Sequence, residues 1–148
     1  MVTTKDVQQL RAKTGYGVMD CHKALLEANG DFEKAEQILK AKGAQKFLAK
    51  QERETKNGVI ECYSHGGKVG VMIEVLCETD FVARTPEFAQ LAHNLALQVA
   101  SMAPQSPKEL YEQVFIKDES RTVEDLIKEE IAKFGENIKV SRFQRWEL

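Results

Sequence analysis

Hydrophobic positions in the first forty residues recur at helical spacing and predict three short helices. Thr3 or Thr4 can cap the first helix, Gly15-Tyr16-Gly17 separates it from a second that begins at Val18, and Asp31 caps the third. Because the connections are short, the three helices are expected to form a small compact bundle. Its inward-facing residues are predicted to be Val7, Leu10, Thr14, Cys21, Leu25, Ala28, Phe32, Ala35, Ile38 and Leu39.

The stretch that follows the bundle is charged but still prone to form helix. After Gly43 it reads AQKFLAKQERETKNG, which predicts a helical connector that ends near Asn57-Gly58. Lysines and arginines in this connector raise the possibility of RNA contact. Glutamates alternate with them, however, and the stacking aromatics of single-strand binders are absent, so a solvated helix face is the favoured interpretation.

Beyond residue 57 the hydrophobic period changes from 3.6 to 2, which indicates β-structure. Residues 58–64 and 69–77 alternate, and His65-Gly66-Gly67-Lys68 between them suits a hairpin turn. The tail ENIKVSRFQRWEL reads as a third strand. The second strand should direct Val69, Val71, Ile73, Val75 and Cys77 to one face.

Three helices are predicted around these strands. Thr85-Pro86 starts the clearest one, Ser106-Pro107 starts a short one, and Thr122-Val123 opens a last one that Gly135 closes. The first of them carries an apolar stripe wide enough to cover one face of a sheet, made of Phe88, Leu91, Ala92, Leu95, Val99 and Met102.

The pattern predicts an α+β protein with two domains. Residues 1–56 form the three-helix bundle with its connector, and residues 57–148 form a core of about three antiparallel strands packed with helices.

Composition fits a globular chain of 148 residues, with 43% hydrophobic and 30% charged residues. A net charge of -2 gives no general attraction to nucleic acid or to anionic membranes. The start has no apolar segment of a signal peptide, and no stretch is apolar for about 20 residues. Three scattered cysteines suggest reduced thiols. A cytosolic protein without direct nucleic-acid or membrane contact is therefore expected.

No constellation of residues indicates catalysis or metal binding. Cys62 and His65 have the spacing of half a zinc site, with Cys77 across the hairpin, but no second pair completes four ligands. Cys62 and Cys77 are better interpreted as small buried apolar residues. The glycine loops match no phosphate-binding pattern. We expect neither an enzyme nor a bound cofactor or metal.

Apolar residues at two loops point instead to a protein partner. Val18 and Met19 follow each other at a helix start, so at least one of them is expected to face outward unless both lie in the core. In Thr79-Asp80-Phe81-Val82, Thr79 can cap a one-turn helix whose positive end suits Asp80. The spacing does not decide whether Phe81 is buried or displayed.

These residues lie in motifs that strongly resemble the bacterial elongation factor Ts family. The motifs are LRAKTGYGVMDCHKAL, ETDFVAR and GENIKVSRF, in the family's order, and the likeness extends over nearly the whole chain. The resemblance implies a bundle of the ubiquitin-associated type followed by an α+β core. The link between Ala103 and Arg121 is short where relatives can hold a longer helical insertion, and His22 stands where a lysine is expected.

The resemblance also implies a function and two contact sites. A family member acts as a guanine nucleotide exchange factor for elongation factor Tu, disturbing the magnesium and phosphate site of its GDP form. The implied contact residues of the core are Thr79, Asp80, Phe81 and Val82. Those of the N-terminal module are Leu10, Arg11, Gly17, Val18, Met19 and Asp20.

Two further expectations concern partners. An adaptor that holds its partner through the N-terminal bundle, without changing the bound nucleotide, is the alternative function. A three-stranded sheet with helices on one face leaves the other face open, so a symmetric homodimer that binds two partner molecules is predicted.

Overall fold

The N-terminal helices begin and end where the local sequence caps them. In the computed structural model, which describes all 148 residues, the Thr3 hydroxyl accepts a hydrogen bond from the Asp6 amide at 3.2 Å, and Gly15 ends the first helix with a φ of 76°. The elements in chain order are α1 (Thr4–Thr14), α2 (Val18–Glu27), α3 (Phe32–Lys50), β1 (Asn57–His65), β2 (Val69–Cys77), α4 (Asp80–Ala83), α5 (Pro86–Met102), α6 (Pro107–Glu112), β3 (Val114–Phe115), β4 (Asp118–Thr122), α7 (Val123–Phe134) and β5 (Lys139–Glu147).

The mixture of helices and antiparallel sheets confirms the predicted α+β class. The chain packs into two compact units, Met1–Gln51 with Lys128–Gly135, and Glu52–Ile127 with Glu136–Leu148. The predicted division at residue 57 assigned the whole of α7 to the core, whereas its second half belongs to the first unit.

The connector between the bundle and the sheet differs from its prediction. α3 runs through Gly43 and ends at Lys50, and Asn57 and Gly58 are already the first residues of β1, so the helical connector to Asn57-Gly58 is wrong. Pairing overrides the local helix preference here, because Asn57 lies opposite Cys77 in the sheet and its side-chain amide donates to the Glu78 carbonyl at 2.9 Å.

The main sheet has the order β1-β2-β5, and both pairings are antiparallel. The turn between the first two strands uses Gly66 and Gly67, with φ values of 56° and 68°. Residues of β2 alternate as expected, and Val71, Ile73, Val75 and Cys77 are buried.

α5 covers the inner face of β1 and β2 and begins as predicted at Thr85, whose hydroxyl accepts from the Phe88 amide at 3.2 Å. The predicted apolar stripe does not hold in the last turn of α5, where Met102 is half exposed. Met102 is the final residue of the helix, directly before the left-handed residue Ala103. Ser106 caps α6 as predicted, and the chain then forms a short β3–β4 hairpin where the sequence predicts no strand.

Cys62 also differs from its prediction, since it is exposed rather than buried. It lies opposite Met72 in the antiparallel register, and paired residues share a face of the sheet. Met72 is on the outer face, so Cys62 is there too.

Each unit has its own core. In the first, Leu10, Cys21, Leu25 and Leu39 pack together and leave almost no exposed surface. In the second, buried residues of β2 lie with those of α5, which include Phe88, Leu91 and Leu95. None of the helices combines the length and the apolar character needed to span a membrane.

Candidate partner-binding site

The segment Thr79–Arg84, called here the phenylalanine turn, follows directly from the end of β2. The Thr79 hydroxyl accepts from the Val82 amide at 3.3 Å and caps α4, as the sequence predicts. Thr85 ends this one-turn helix, because its hydroxyl donates to the Val82 carbonyl at 2.8 Å while it caps α5. Both ends of the turn are therefore fixed by side-chain hydrogen bonds.

Successive residues of α4 point in different directions, and this decides which of them are displayed. The side chain of Phe81 is 83% exposed, whereas Val82 and Ala83 are each only 6% exposed. Val82, which was predicted to contact a partner, is a core residue instead, since helical rotation by one position turns it under the sheet. Within α4 the outward residues are therefore Asp80 and Phe81, and Thr79 and Arg84 on either side of the helix are exposed too.

The Asp80 carboxylate has one ionic neighbour, Arg84, one helical turn away, with the Nε and Oδ2 atoms 2.8 Å apart. Both side chains are more than half exposed, so water and salt screen the pair and it contributes little to stability. Asp80 also lies at the positive end of α4. Its carboxylate is accessible to a partner or to a cation that a partner holds.

The backbone at the start of the turn is bound by Glu136, which precedes β5. One carboxylate oxygen accepts from the amides of Glu78 and Thr79 at 3.1 and 2.9 Å, and the other accepts from the Thr79 hydroxyl at 2.7 Å. Glu78 in turn accepts from the Asn137 amide at 2.8 Å. The ETDFVAR and GENIKVSRF motifs therefore meet at one place.

Below the turn, the Cys77 thiol is completely buried and donates to the Thr79 carbonyl at 3.2 Å. Burial, together with the nearby negative charge of Glu136, raises the pKa of this thiol to about 11. Cys77 therefore stays protonated at neutral pH and serves as a hydrogen-bond donor that supports the turn.

A second candidate surface lies in the first unit, at the start of α2. Gly17 is the N-cap of this helix, and Tyr16 before it is buried. Val18 and Met19 are 49% and 62% exposed, so both face outward, and the alternative in which they fill the core does not hold. Two adjacent apolar side chains at a helix start form a surface suited to an apolar patch on a partner.

Charges flank this surface. The Asp20 carboxylate lies 2.7 Å from the ammonium group of Lys46 on α3, and Arg11 on α1 is exposed. Leu10, which was also predicted to contact a partner, has no exposed surface and belongs to the core of the bundle. It can act on a partner only by supporting its neighbours.

The sequence missed Glu136 and Lys46, because their contacts join residues that are far apart in the chain. Glu136 binds Thr79 across 57 residues and Lys46 binds Asp20 across 26, and no local pattern reports such a pairing. The motif GENIKVSRF contained Glu136, but nothing in its spacing assigned a role.

The residues of the half zinc site that the sequence suggested do not form a set of metal ligands. Cys62 faces the outer side of the sheet, and Nδ1 of His65 lies 2.9 Å from the Tyr63 hydroxyl. Nowhere do three His, Cys, Asp or Glu side chains group in a way that would hold a metal ion.

Two sequence models of one family match the chain. The model described as Elongation factor TS matches residues 78–148, which include the phenylalanine turn and β5. The model described as Elongation factor Ts, mitochondrial, N-terminal matches residues 1–47, which include the α2 surface.

Curated proteins agree over almost the full length. Elongation factor Ts of Thermotoga maritima is 44% identical over 186 aligned positions, covering 96% of this chain and 94% of the relative. Those of Coprothermobacter proteolyticus and Moorella thermoacetica are 42% and 41% identical, at similar coverage. The aligned positions outnumber the residues of this chain, so these relatives hold internal residues that it lacks. Two models of this family match the chain, and curated members align with it over nearly its whole length. The chain therefore belongs to the elongation factor Ts family.

Proposed function

We propose that this protein is a guanine nucleotide exchange factor that binds the GDP form of elongation factor Tu and accelerates release of GDP during translation elongation in the cytoplasm. The observation that carries the proposal is the side chain of Phe81, 83% exposed on a turn that is fixed at both ends. A large aromatic side chain that a fixed turn exposes to water is suited to enter a pocket of a partner.

The mechanism requires no covalent chemistry. Phe81 enters the nucleotide-binding domain of elongation factor Tu, and Asp80 beside it disturbs the Mg²⁺ that bridges phosphate and protein oxygens in such sites. GDP and the exchange factor then weaken each other's binding by the same factor, because the coupling free energy between two ligands is reciprocal.

The surface of Val18, Met19 and Asp20 gives a second contact, which holds the partner while the phenylalanine turn acts. Their exposure supports this role, and the Lys46 ammonium beside Asp20 keeps that carboxylate ordered at the helix start. Two separated contacts raise the overall affinity, since the second forms at a high effective concentration once the first has formed.

The outer face of the sheet supports the proposed homodimer. Ile60, Met72 and Trp146 are all more than half exposed on it, which is a large apolar area for a single chain to leave in water. A second copy would cover this face and give an assembly of two exchange factors with two partner molecules.

Release of a fluorescent GDP analogue from elongation factor Tu tests the function directly. The protein should accelerate release in proportion to its concentration until the partner is saturated. The exposed Val18 and Met19 also suit an adaptor that only holds its partner, and binding without any acceleration would establish that alternative.

A further inference from the structure

We infer that Glu136 is a positioning residue for nucleotide exchange, which sets the phenylalanine turn in its active geometry without touching the partner. The inference rests on the exchange function proposed above. It starts from three hydrogen bonds that converge on one carboxylate, from the amides of Glu78 and Thr79 and from the Thr79 hydroxyl. A carboxylate that accepts several short hydrogen bonds fixes its donors more strongly than a neutral acceptor does.

The effect on the turn follows from the single hydrogen of the Thr79 hydroxyl. The Thr79 hydroxyl donates this hydrogen to the Glu136 carboxylate in a hydrogen bond of 2.7 Å. A lone pair of the hydroxyl oxygen is then left to accept from the Val82 amide, 3.3 Å away. Without the carboxylate, the hydroxyl can rotate and donate elsewhere. Glu136 therefore holds the cap of α4 in its accepting orientation, and with it the direction of Phe81.

The carboxylate is itself held in place by the chain on either side of it. Gly135 ends α7 with a φ of 75°, which is left-handed, and so stops the helix directly before Glu136. Asn137 then donates its amide to the Glu78 carboxylate at 2.8 Å, while Glu136 accepts the Glu78 amide. Each glutamate side chain therefore accepts a hydrogen bond from the backbone of the other segment, which ties the two segments together at two points.

This arrangement predicts where the effect of Glu136 will be seen. Asp80 and Phe81 must reach the nucleotide site together. When the turn that carries them is already ordered, less conformational entropy is lost as they enter the site. Since Glu136 adds no contact of its own, its loss should lower the maximal rate of GDP release more than it raises the concentration of factor needed for half of that rate.

Substitutions that separate the length of the Glu136 side chain from its ability to accept the Thr79 hydroxyl hydrogen provide the test. Glu136→Ala removes both oxygens that accept the three hydrogen bonds, and Glu136→Asp keeps the charge but is shorter by one methylene. Both should lower the maximal release rate about tenfold, with less than about a threefold change in half-saturating concentration. Glu136→Gln keeps one oxygen for the two amides, but it replaces the oxygen that accepts from the Thr79 hydroxyl with an amide donor, so it should lower the maximal rate about threefold, less than Glu136→Ala does.

Glu109→Ala is the matched control, because that carboxylate also accepts a backbone amide at a helix start, from Gln105 at 3.2 Å, but lies outside the phenylalanine turn. It should leave release unchanged. Phe81→Ala, measured in parallel, separates a failure of the positioning role from a failure of the proposed exchange function. If Phe81→Ala slows release and Glu136→Ala does not, the positioning role is wrong while the proposed function stands.

Other outcomes are equally decisive. Full activity of Glu136→Asp would show that the reach of the carboxylate does not matter, and full activity of Glu136→Gln would show that the hydrogen bond from the Thr79 hydroxyl does not matter; either result overturns the inference. Wild-type protein that fails to accelerate release would instead refute the proposed function. Circular dichroism melts of each variant show whether it is folded, and Glu136→Gln provides the comparison if Glu136→Ala does not fold.

Discussion

At the scale of single residues, Phe81 can be compared directly with a buried phenylalanine of the same unit. Phe81→Ala should slow GDP release at saturating factor by about thirtyfold, because truncation of an aromatic anchor in an interface costs about 2 kcal/mol. The melting temperature should hardly change, because the side chain is exposed. Asp80→Ala should slow release less, since the carboxylate disturbs a site rather than filling a pocket.

Phe88 provides the control for that prediction, because it is fully buried in α5. Phe88→Ala should lower the free energy of unfolding by about 3–5 kcal/mol. A Phe81→Ala variant that unfolds like Phe88→Ala, or that releases GDP at the wild-type rate, would show that the displayed side chain is not the active one.

Met19 tests the second contact surface. Met19→Asp should weaken binding of elongation factor Tu about tenfold or more, because it places a charge in an apolar contact, and should leave the melting temperature unchanged. Leu48→Asp is the matched control, being an exposed apolar residue elsewhere in the same unit. Equal loss of binding in both variants, measured by calorimetry, would argue against a specific surface at Met19.

The Cys77 thiol predicts a loss of stability at alkaline pH. Its pKa is raised to about 11 in the folded chain, against 9.0 as the ordinary value, so the unfolded chain loses this proton first as the pH rises. The stabilising contribution is complete below pH 9 and disappears as the pH rises toward 11. Urea unfolding between pH 8 and 11 should therefore show a shallower decline for Cys77→Ala than for wild type. Parallel declines would indicate that other groups, such as Tyr16, account for the effect.

Residue-scale prediction from sequence succeeded where a local rule applied and failed where orientation mattered. The Thr79 cap and the position of Asp80 follow from rules of helix termini. The choice between Phe81 and Val82 does not, because a one-turn helix has no repeated period from which an inner face can be recognised.

At the scale of elements, Gly58 shows how closely β1 and β2 approach. A Cβ atom at this position would lie 2.2 Å from the Val75 carbonyl oxygen, which is main chain and cannot rotate away. Gly58→Ala should therefore separate the strands and lower the free energy of unfolding by about 3 kcal/mol. Gly70→Ala in β2 is the control, since nothing lies within 4 Å of its Cβ position, and it should change stability little. Denaturant unfolding that finds the two variants equally stable would contradict this packing.

The elements themselves were largely predictable, and the exceptions have one cause. β2 and α5 begin where alternation and the Thr85-Pro86 signal predict. The end of α3 and the β3–β4 hairpin were missed, because pairing partners decide them. Asn57 leaves the helical segment to pair with Cys77, and Gln98, buried on α5, accepts from the Ile116 amide at 2.9 Å and holds the hairpin.

At the scale of the whole molecule, the open sheet face leads to a prediction about assembly. Trp146, the only tryptophan, is 76% exposed in the single chain and should be covered in a homodimer. Light scattering should give a dimer at micromolar concentration, and the tryptophan emission should shift to longer wavelength on dilution to the monomer. Met72→Asp on the same face should produce the monomer directly. A wild-type monomer that still accelerates GDP release would refute the proposed assembly.

The strand order β1-β2-β5 also matters while the chain is being made. Glu74 and Arg142, which lie opposite each other across β2 and β5, are 68 residues apart, so β2 leaves the ribosome long before its second neighbour exists. At about 5–20 residues per second, one edge of β2 stays unpaired for several seconds. That edge can pair with other chains during this interval. The nascent core is therefore open to such pairing until β5 has been synthesised.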